Sequence, residues 1–60
     1  MSNARYQIKR TDNDNEISII LNNSIGTVLE LNFDDASKLC QLLNKGSDGN
    51  PRYELIVVYN

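Results

Sequence analysis

Apolar and polar residues alternate along the first half of the chain with the period of two that is typical of half-buried β-strands. Residues 5–10, 16–22 and 27–33 follow this pattern. Turn segments rich in Asn, Asp, Ser and Gly separate them. Because short connections between consecutive strands favour antiparallel pairing, the pattern predicts an antiparallel meander in this half of the chain.

After residue 33 the apolar positions follow the helical period of about 3.6 residues. Asp34 or Asp35 is suited to cap the N-terminus of this helix, because a side-chain oxygen can accept a hydrogen bond from a free backbone N–H. Gly46 is suited to end the helix in the left-handed conformation. The pattern predicts a helix over residues 35–45. Its apolar stripe consists of Ala36, Leu39, Cys40, Leu42 and Leu43.

A last strand is predicted over residues 52–59. The predicted fold class is therefore α+β: an antiparallel β-meander followed by one helix and a returning strand (β-β-β-α-β), with the helix on one face of a four-stranded sheet. Whether the last strand neighbours the first or the third strand stays open. Residues 5–60 are expected to form this single domain, and residues 1–4 are expected to be a flexible N-terminus or the remnant of a tag.

The predicted sheet carries apolar side chains on both faces. Those expected beneath the helix are Ile17, Ile19, Leu21, Leu29, Leu31 and Phe33, with Tyr53, Leu55, Val57 and Tyr59 or their alternates on the last strand. Those on the opposite face are Ile20, Val28, Ile56 and Val58. One helix covers one face only, and an uncovered apolar patch is typical of an interaction surface. We expect the second set to form a homodimer interface, either with the sheets face to face or with the last strand paired to its symmetry mate.

Composition supports an oligomer and excludes several other classes. A chain of sixty residues has a thin core, and its single cysteine and lack of histidine leave neither a disulfide nor a zinc site to stabilise it. The net charge of −2 disfavours nucleic acid as a partner. No apolar run approaches the roughly 20 residues of a membrane span, and no signal peptide is visible. We therefore expect a cytoplasmic protein without membrane contact.

The residues that can carry chemistry do not combine into a catalytic or metal site. Cys40 lies on the apolar stripe of the helix without a histidine to activate it. The turn with Asp12, Asp14 and Glu16 is similar to the start of a calcium loop. It has Ile17 and Asn23 where such a loop needs Gly and Glu. We expect no enzyme activity, no cofactor and no metal.

Charged residues give two further hypotheses about partners. Arg5, Lys9 and Arg52 would border the apolar patch if the first and last strands were neighbours. Tyrosines beside them would complete a protein-binding hot spot or, with Arg10, a single-stranded nucleic-acid site. The acidic side chains suit the basic channel of an enzyme that handles nucleic acid. These are Asp12, Asp14, Glu16, Asp48 and Glu54.

By size and layout, residues 5–60 resemble small phage-encoded inhibitors of bacterial defence, such as anti-CRISPR proteins and the inhibitor of the Hachiman system. The resemblance implies a cofactor-free dimer that occludes a host enzyme. The function we expect is therefore that of a homodimeric, non-enzymatic protein-binding module that inhibits or modulates a host or defence protein. The alternatives are a small nucleic-acid-binding regulator and a structural accessory subunit of a larger complex.

Overall fold

A computed structural model describes residues 4–59. The expectation of a flexible N-terminus concerns residues 1–4, of which all but Ala4 lie outside the described residues, as does residue 60. The elements are β1 (Arg5–Thr11), β2 (Ser18–Ile20), α1 (Phe33–Ser47) and β3 (Arg52–Val58). The strands form an antiparallel sheet in the order β2-β1-β3, so the first and last strands are neighbours.

The prediction of a four-stranded sheet is wrong, because residues 27–33 do not form a strand. The sheet has three strands and the order is β-β-α-β. Of the missing strand, only two isolated bridges remain, one from Val28 to Asn22 and one from Leu31 to Tyr6. β3 pairs with β1 along one edge. Along the other edge of β1, β2 pairs first and Leu31 then bridges to Tyr6, so no edge of β1 is left for a full additional strand.

A side chain holds the loop that replaces this strand. The Asn23 side-chain oxygen accepts hydrogen bonds from the backbone N–H groups of Ile25 and Thr27, at 3.0 and 3.2 Å. Gly26 turns the chain at a φ of 89°, which few other residues adopt. The segment therefore curls back on Leu21, whose carbonyl accepts a bond from the N–H of Leu29 at 3.0 Å.

The helix begins and ends two residues beyond the predicted limits. Asn32 is the N-cap and accepts a bond from the N–H of Asp35 at 2.8 Å, so Asp34 and Asp35 lie in the first turn. There their charges favour the positive end of the helix dipole. Gly46 lies inside the helix, and Asp48 takes the left-handed C-terminal conformation with φ 54° and ψ 38°. The predictions of an aspartate N-cap and of termination at Gly46 were therefore wrong.

α1 runs from the middle strand at its start to the outer edge of β3 at its end. The rings of Phe33 and Tyr6 meet edge to face at 5.3 Å, and Asn44 near the other end bonds to the backbone of Tyr53. The helix packs against β1 and β3 but not against β2, all of which lie in the described part of the chain. Tyr6 identifies the face of the sheet beneath the helix, since alternate residues of a strand share a face.

The core that this arrangement buries is small. The buried apolar residues are Ile8, Ala36 and Cys40, and Ile8 is the one large side chain that is fully buried among the described residues. Ile17 and Ile19, expected beneath the helix, stay 57% and 49% exposed because the helix does not reach β2. Leu42 of the predicted stripe is 66% exposed on the outer side of the helix.

Candidate protein-interaction surface

The face of the sheet opposite the helix, called here the open face, carries three of the four predicted interface residues. Val58 lies opposite Arg5 in the ladder and Ile56 lies opposite Gln7. On the other side of β1, Ile20 lies opposite Lys9. Arg5, Gln7 and Lys9 alternate with Tyr6, so they and their ladder partners face away from the helix. All three apolar side chains are half-buried.

These apolar side chains form two separate groups rather than one patch. The central strand β1 presents Gln7 and Lys9 on the open face, between Ile20 on β2 and Ile56 on β3. The fourth predicted residue, Val28, lies in the loop at an isolated bridge and is 43% exposed. A face-to-face dimer would place the polar side chains of β1 at its centre, where the charged Lys9 side chain would lose water at a cost in free energy.

The outer edge of β3 is closed at one end. The Asn44 amide donates to the Tyr53 carbonyl at 2.9 Å and accepts from the Tyr53 N–H at 2.8 Å. The Cys40 thiol donates to the same carbonyl at 3.3 Å. These contacts show that both backbone groups of Tyr53 point away from β1. The helix therefore blocks this end of the edge, which is one way in which proteins protect edge strands.

The same edge is open further along. In an antiparallel ladder, alternate residues direct both backbone groups to the same side. Leu55 and Val57 therefore also point away from β1, in pairs with Ile8 and Tyr6. Within residues 4–59, no group bonds to the outward N–H and C=O of either residue. This short stretch is a free hydrogen-bonding edge between apolar side chains.

The cationic residues divide between the two faces, and Arg10 lies with Tyr6 and Tyr53 on the helix face. Arg5, Lys9 and Arg52 belong to the open face, as the predicted rim requires. Tyr6 and Tyr53 belong to the helix face, so the predicted combination of Arg5, Lys9 and Arg52 with tyrosines does not form on the open face.

Acidic partners lie close to these cations and interrupt the basic surface. Arg52 pairs with Glu54 at 2.9 Å, and Arg10 on the helix face pairs with Asp12 at 3.4 Å. Gln7, between Arg5 and Lys9 on the open face, donates to Glu30 at 3.1 Å. The positive charges are therefore interleaved with negative ones, unlike the continuous basic stripe of a nucleic-acid site.

Four of the five predicted acidic contacts lie at one end of the molecule. Asn13, in the turn after β1, bonds to Asn50 and Gly49 in the loop before β3, at 3.2 and 2.8 Å. This pair of contacts joins the two loops that hold the acidic residues. We call them the acidic end: Asp12, Asp14, Glu16 and Asp48. Glu54 lies on β3, paired with Arg52.

Cys40 is a packed side chain rather than an activated thiol. It is 9% exposed. Burial raises the pKa of the Cys40 thiol above its ordinary value of 9.0, and the charge of Glu54 raises this pKa further, while the hydrogen bond from Asn44 lowers it. The thiol is therefore protonated at neutral pH and donates a hydrogen bond to the Tyr53 carbonyl.

Residues 4–59 contain no group of three or more His, Cys, Asp and Glu side chains placed to hold a metal ion. An open hollow of about 400 Å³ lies along the outer side of the helix, lined by Lys38, Gln41, Leu42 and Lys45. In the described part of the chain, α1 is too short and too polar to cross a membrane.

Asn44 is the residue of this edge that the sequence pattern did not single out. A polar residue four positions after Cys40 on the buried side of a helix is the signal that would have identified it. Comparison with protein-family models, with curated proteins and with solved structures finds no match for this chain.

Proposed function

We propose that the chain is a homodimeric, non-enzymatic protein-binding module that inhibits or modulates a host or defence protein by steric contact in the cytoplasm. The observation that supports this function is the imbalance between core and surface. Among residues 4–59, three apolar residues are buried, whereas eight large apolar side chains are between 41% and 81% exposed. The exposed set is Ile17, Ile19, Ile25, Val28, Phe33, Leu42, Val57 and Tyr59.

This imbalance matters because of the size of the domain. Full burial of one such side chain contributes about 1.5–3 kcal/mol, and the total stability of a domain is about 5–15 kcal/mol. A surface of this kind gains a large share of its stabilisation from contact with other chains. Contact with protein, rather than chemistry on a substrate, therefore fits the residues that the fold exposes.

The acidic end supplies the second element of the proposal, a surface for the partner. Asp14, Glu16 and Asp48 are exposed there. Their charge is not compensated by an ion pair within residues 4–59. Negative charge on a projecting pair of loops is complementary to a basic channel, and such complementarity speeds and orients association. The partner that this chemistry fits is a protein with a basic, nucleic-acid-handling groove.

Charge reversal at the acidic end tests the partner surface. We expect Asp14→Lys with Asp48→Lys to weaken binding of the partner at least ~10-fold, because the changes place repulsive charges at its basic surface. The measurement is quantitative mass spectrometry of proteins captured from host extract on immobilised wild type and variant. Captured candidates are then purified and titrated individually.

Glu30→Lys is the matched control, since Glu30 is an exposed acidic residue outside the acidic end. The control should retain the same partner as the wild type. If no purified protein binds the wild type, or if the double variant binds as tightly as the control, the proposed partner surface is wrong.

The alternative of a nucleic-acid-binding regulator depends on the cations of the open face. A gel-shift experiment at low salt separates the two functions, because phosphate contacts are strongest there. The protein-binding proposal predicts no shift of single- or double-stranded nucleic acid at high micromolar protein. A shift that Arg5→Glu with Lys9→Glu abolishes would favour the regulator.

A further inference from the structure

We infer that β3 pairs antiparallel with β3 of a second copy, in the register that places Ile56 opposite Ile56 of that copy. The inference rests on the homodimer of the proposed function and specifies its interface. It joins two three-stranded sheets into one continuous sheet, with β3 of each copy at the centre. The occupant of the open edge is therefore the chain itself.

The accessible length of the edge supports this arrangement. Asn44 closes the edge at Tyr53, and β3 ends at Val58. Between these limits, the residues that direct their backbone groups outward are Leu55 and Val57. At this end of the sheet the helix starts beside Tyr6 on the neighbouring strand. Val57 is accordingly 41% exposed, and the edge is accessible to another strand.

A two-fold axis at Ile56 uses both free residues and no others. Leu55 then exchanges both backbone hydrogen bonds with Val57 of the second copy, and Val57 does so with Leu55 of that copy. Moving the register two residues towards Tyr53 would require the groups that Asn44 already binds. Moving it the other way would require Tyr59, which follows the end of the strand. The register with Ile56 opposite Ile56 is therefore the one that pairs Leu55 and Val57 without using Tyr53 or Tyr59.

The side chains of this register are compatible across the interface. Ile56 would meet Ile56 of the second copy as a closely spaced, non-hydrogen-bonded pair, in which β-branched side chains pack well. Glu54 would lie opposite Val58, so no charged residue faces a like charge. On the helix face, Leu55 and the half-exposed Val57 would continue the apolar surface across the two-fold axis. A free strand edge is an aggregation hazard, because it can pair with a strand of any other chain. Pairing with β3 of the second copy covers this edge.

The open face gives an independent reason to prefer the edge over a face-to-face dimer. Its largest apolar group, Ile56 and Val58, lies on the edge strand, whereas Gln7 and Lys9 occupy the centre of the face. Edge pairing places Ile56 beside Ile56 of the second copy and leaves those polar side chains in water. Face-to-face packing would bury both.

Val57→Pro tests the edge without breaking the fold of one chain. The N–H of Val57 points away from β1, so proline removes no hydrogen bond of the β1–β3 ladder but removes one from each copy, two in all, that the dimer requires. Val57→Thr is the matched control, because threonine keeps the N–H and the β-branched shape. We expect proline to raise the dimer dissociation constant at least ~10-fold in sedimentation equilibrium and threonine to change it less than ~3-fold.

Disulfide trapping provides a second test that does not depend on how well the proline variant folds. In a Cys40→Ser background, Ile56→Cys should form a disulfide-linked dimer under mild oxidation, because paired residues at the axis have the Cα separation that a disulfide needs. Ile20→Cys is the control from the same face but from β2. It should remain monomeric on a non-reducing gel, since edge pairing places the two copies of β2 at opposite ends of the joined sheet.

The outcomes separate this inference from the homodimer on which it rests. A wild type that sediments as a monomer at every concentration overturns both. A dimeric wild type whose Val57→Pro variant folds and remains equally dimeric overturns the edge alone, as does cross-linking of Ile20→Cys without cross-linking of Ile56→Cys. If Val57→Pro does not fold, the disulfide pair decides. Trapping at residue 56, absent at residue 20, together with a folded monomer for Val57→Pro, supports the paired edge.

Discussion

Ile8→Ala is expected to lower the free energy of unfolding by about 3–5 kcal/mol and to leave much of the protein unfolded at 25 °C. Ile8 is the one large side chain that is fully buried in the described part of the chain, and it lies at the centre of β1. In so small a core the neighbours have few ways to close the cavity. The free energy of unfolding is measured by urea denaturation followed by far-ultraviolet circular dichroism.

The control for this prediction is Ile25→Ala, since Ile25 is 81% exposed in the loop before α1. We expect it to change the free energy of unfolding by less than about 0.5 kcal/mol. All variants are compared at one protein concentration, because association would add to the apparent stability. Equal effects of the two substitutions would show that the core does not lie where the structure places it.

Asn44→Leu is expected to lower the free energy of unfolding by about 2–4 kcal/mol, although leucine and asparagine are similar in size. The Asn44 amide bonds to both backbone groups of Tyr53, and these contacts tie the helix to the edge of β3. Leucine removes both bonds, which leaves the half-buried Tyr53 N–H without a partner and the Tyr53 carbonyl with the weak Cys40 thiol donor alone, and this costs more than the bonds themselves contribute. Urea denaturation measures the loss.

Gln41→Leu is the control for the Asn44 variant, because Gln41 is an exposed residue of the same helix. It should change the free energy of unfolding by less than about 0.5 kcal/mol. The Asn44 variant should also expose amide protons near Tyr53 to hydrogen exchange. If its stability and exchange matched those of the control, the contacts between Asn44 and the edge would not hold the helix in place.

The first and last strands could be predicted from the sequence because each has a strong local period. Observed β1 and β3 differ from the predicted segments by one residue at their ends. The parity of their side chains also follows from the sequence, so Ile56 and Val58 were assigned correctly to the face opposite the helix. Period two fixes which residues share a face whatever the partners of the strand are.

The third strand was predicted wrongly because alternation does not show whether a segment pairs with a neighbouring strand. Residues 27–33 alternate as a strand should, yet only Val28 and Leu31 make bridges, to Asn22 and Tyr6, although β2 lies at the edge of the sheet. Asn23 and Gly26 then turn the segment back on itself, and Asn32 begins the helix. Alternation shows that a segment can be a strand; the turn and cap residues around this segment limit its pairing to two isolated bridges.

The sequence also could not show whether the apolar residues of the open face form one continuous surface. The predicted patch treats Ile20 and Ile56 as neighbours because they share a face. The structure separates them by β1, which is the central strand because the last strand pairs with it. That pairing joins residues about fifty positions apart, so the local pattern of apolar and polar residues does not reveal it. It also creates the free edge at Leu55 and Val57, on which the proposed dimer depends.

We propose that a second copy completes a domain whose own core is thin. Sedimentation equilibrium of the wild-type chain at micromolar concentrations tests this most directly, because it gives the mass without reference to shape. We predict a mass of about twice the 6.8 kDa of one chain, with dissociation on dilution. A mass of 6.8 kDa that persists up to the highest concentration at which the protein stays in solution would contradict the account.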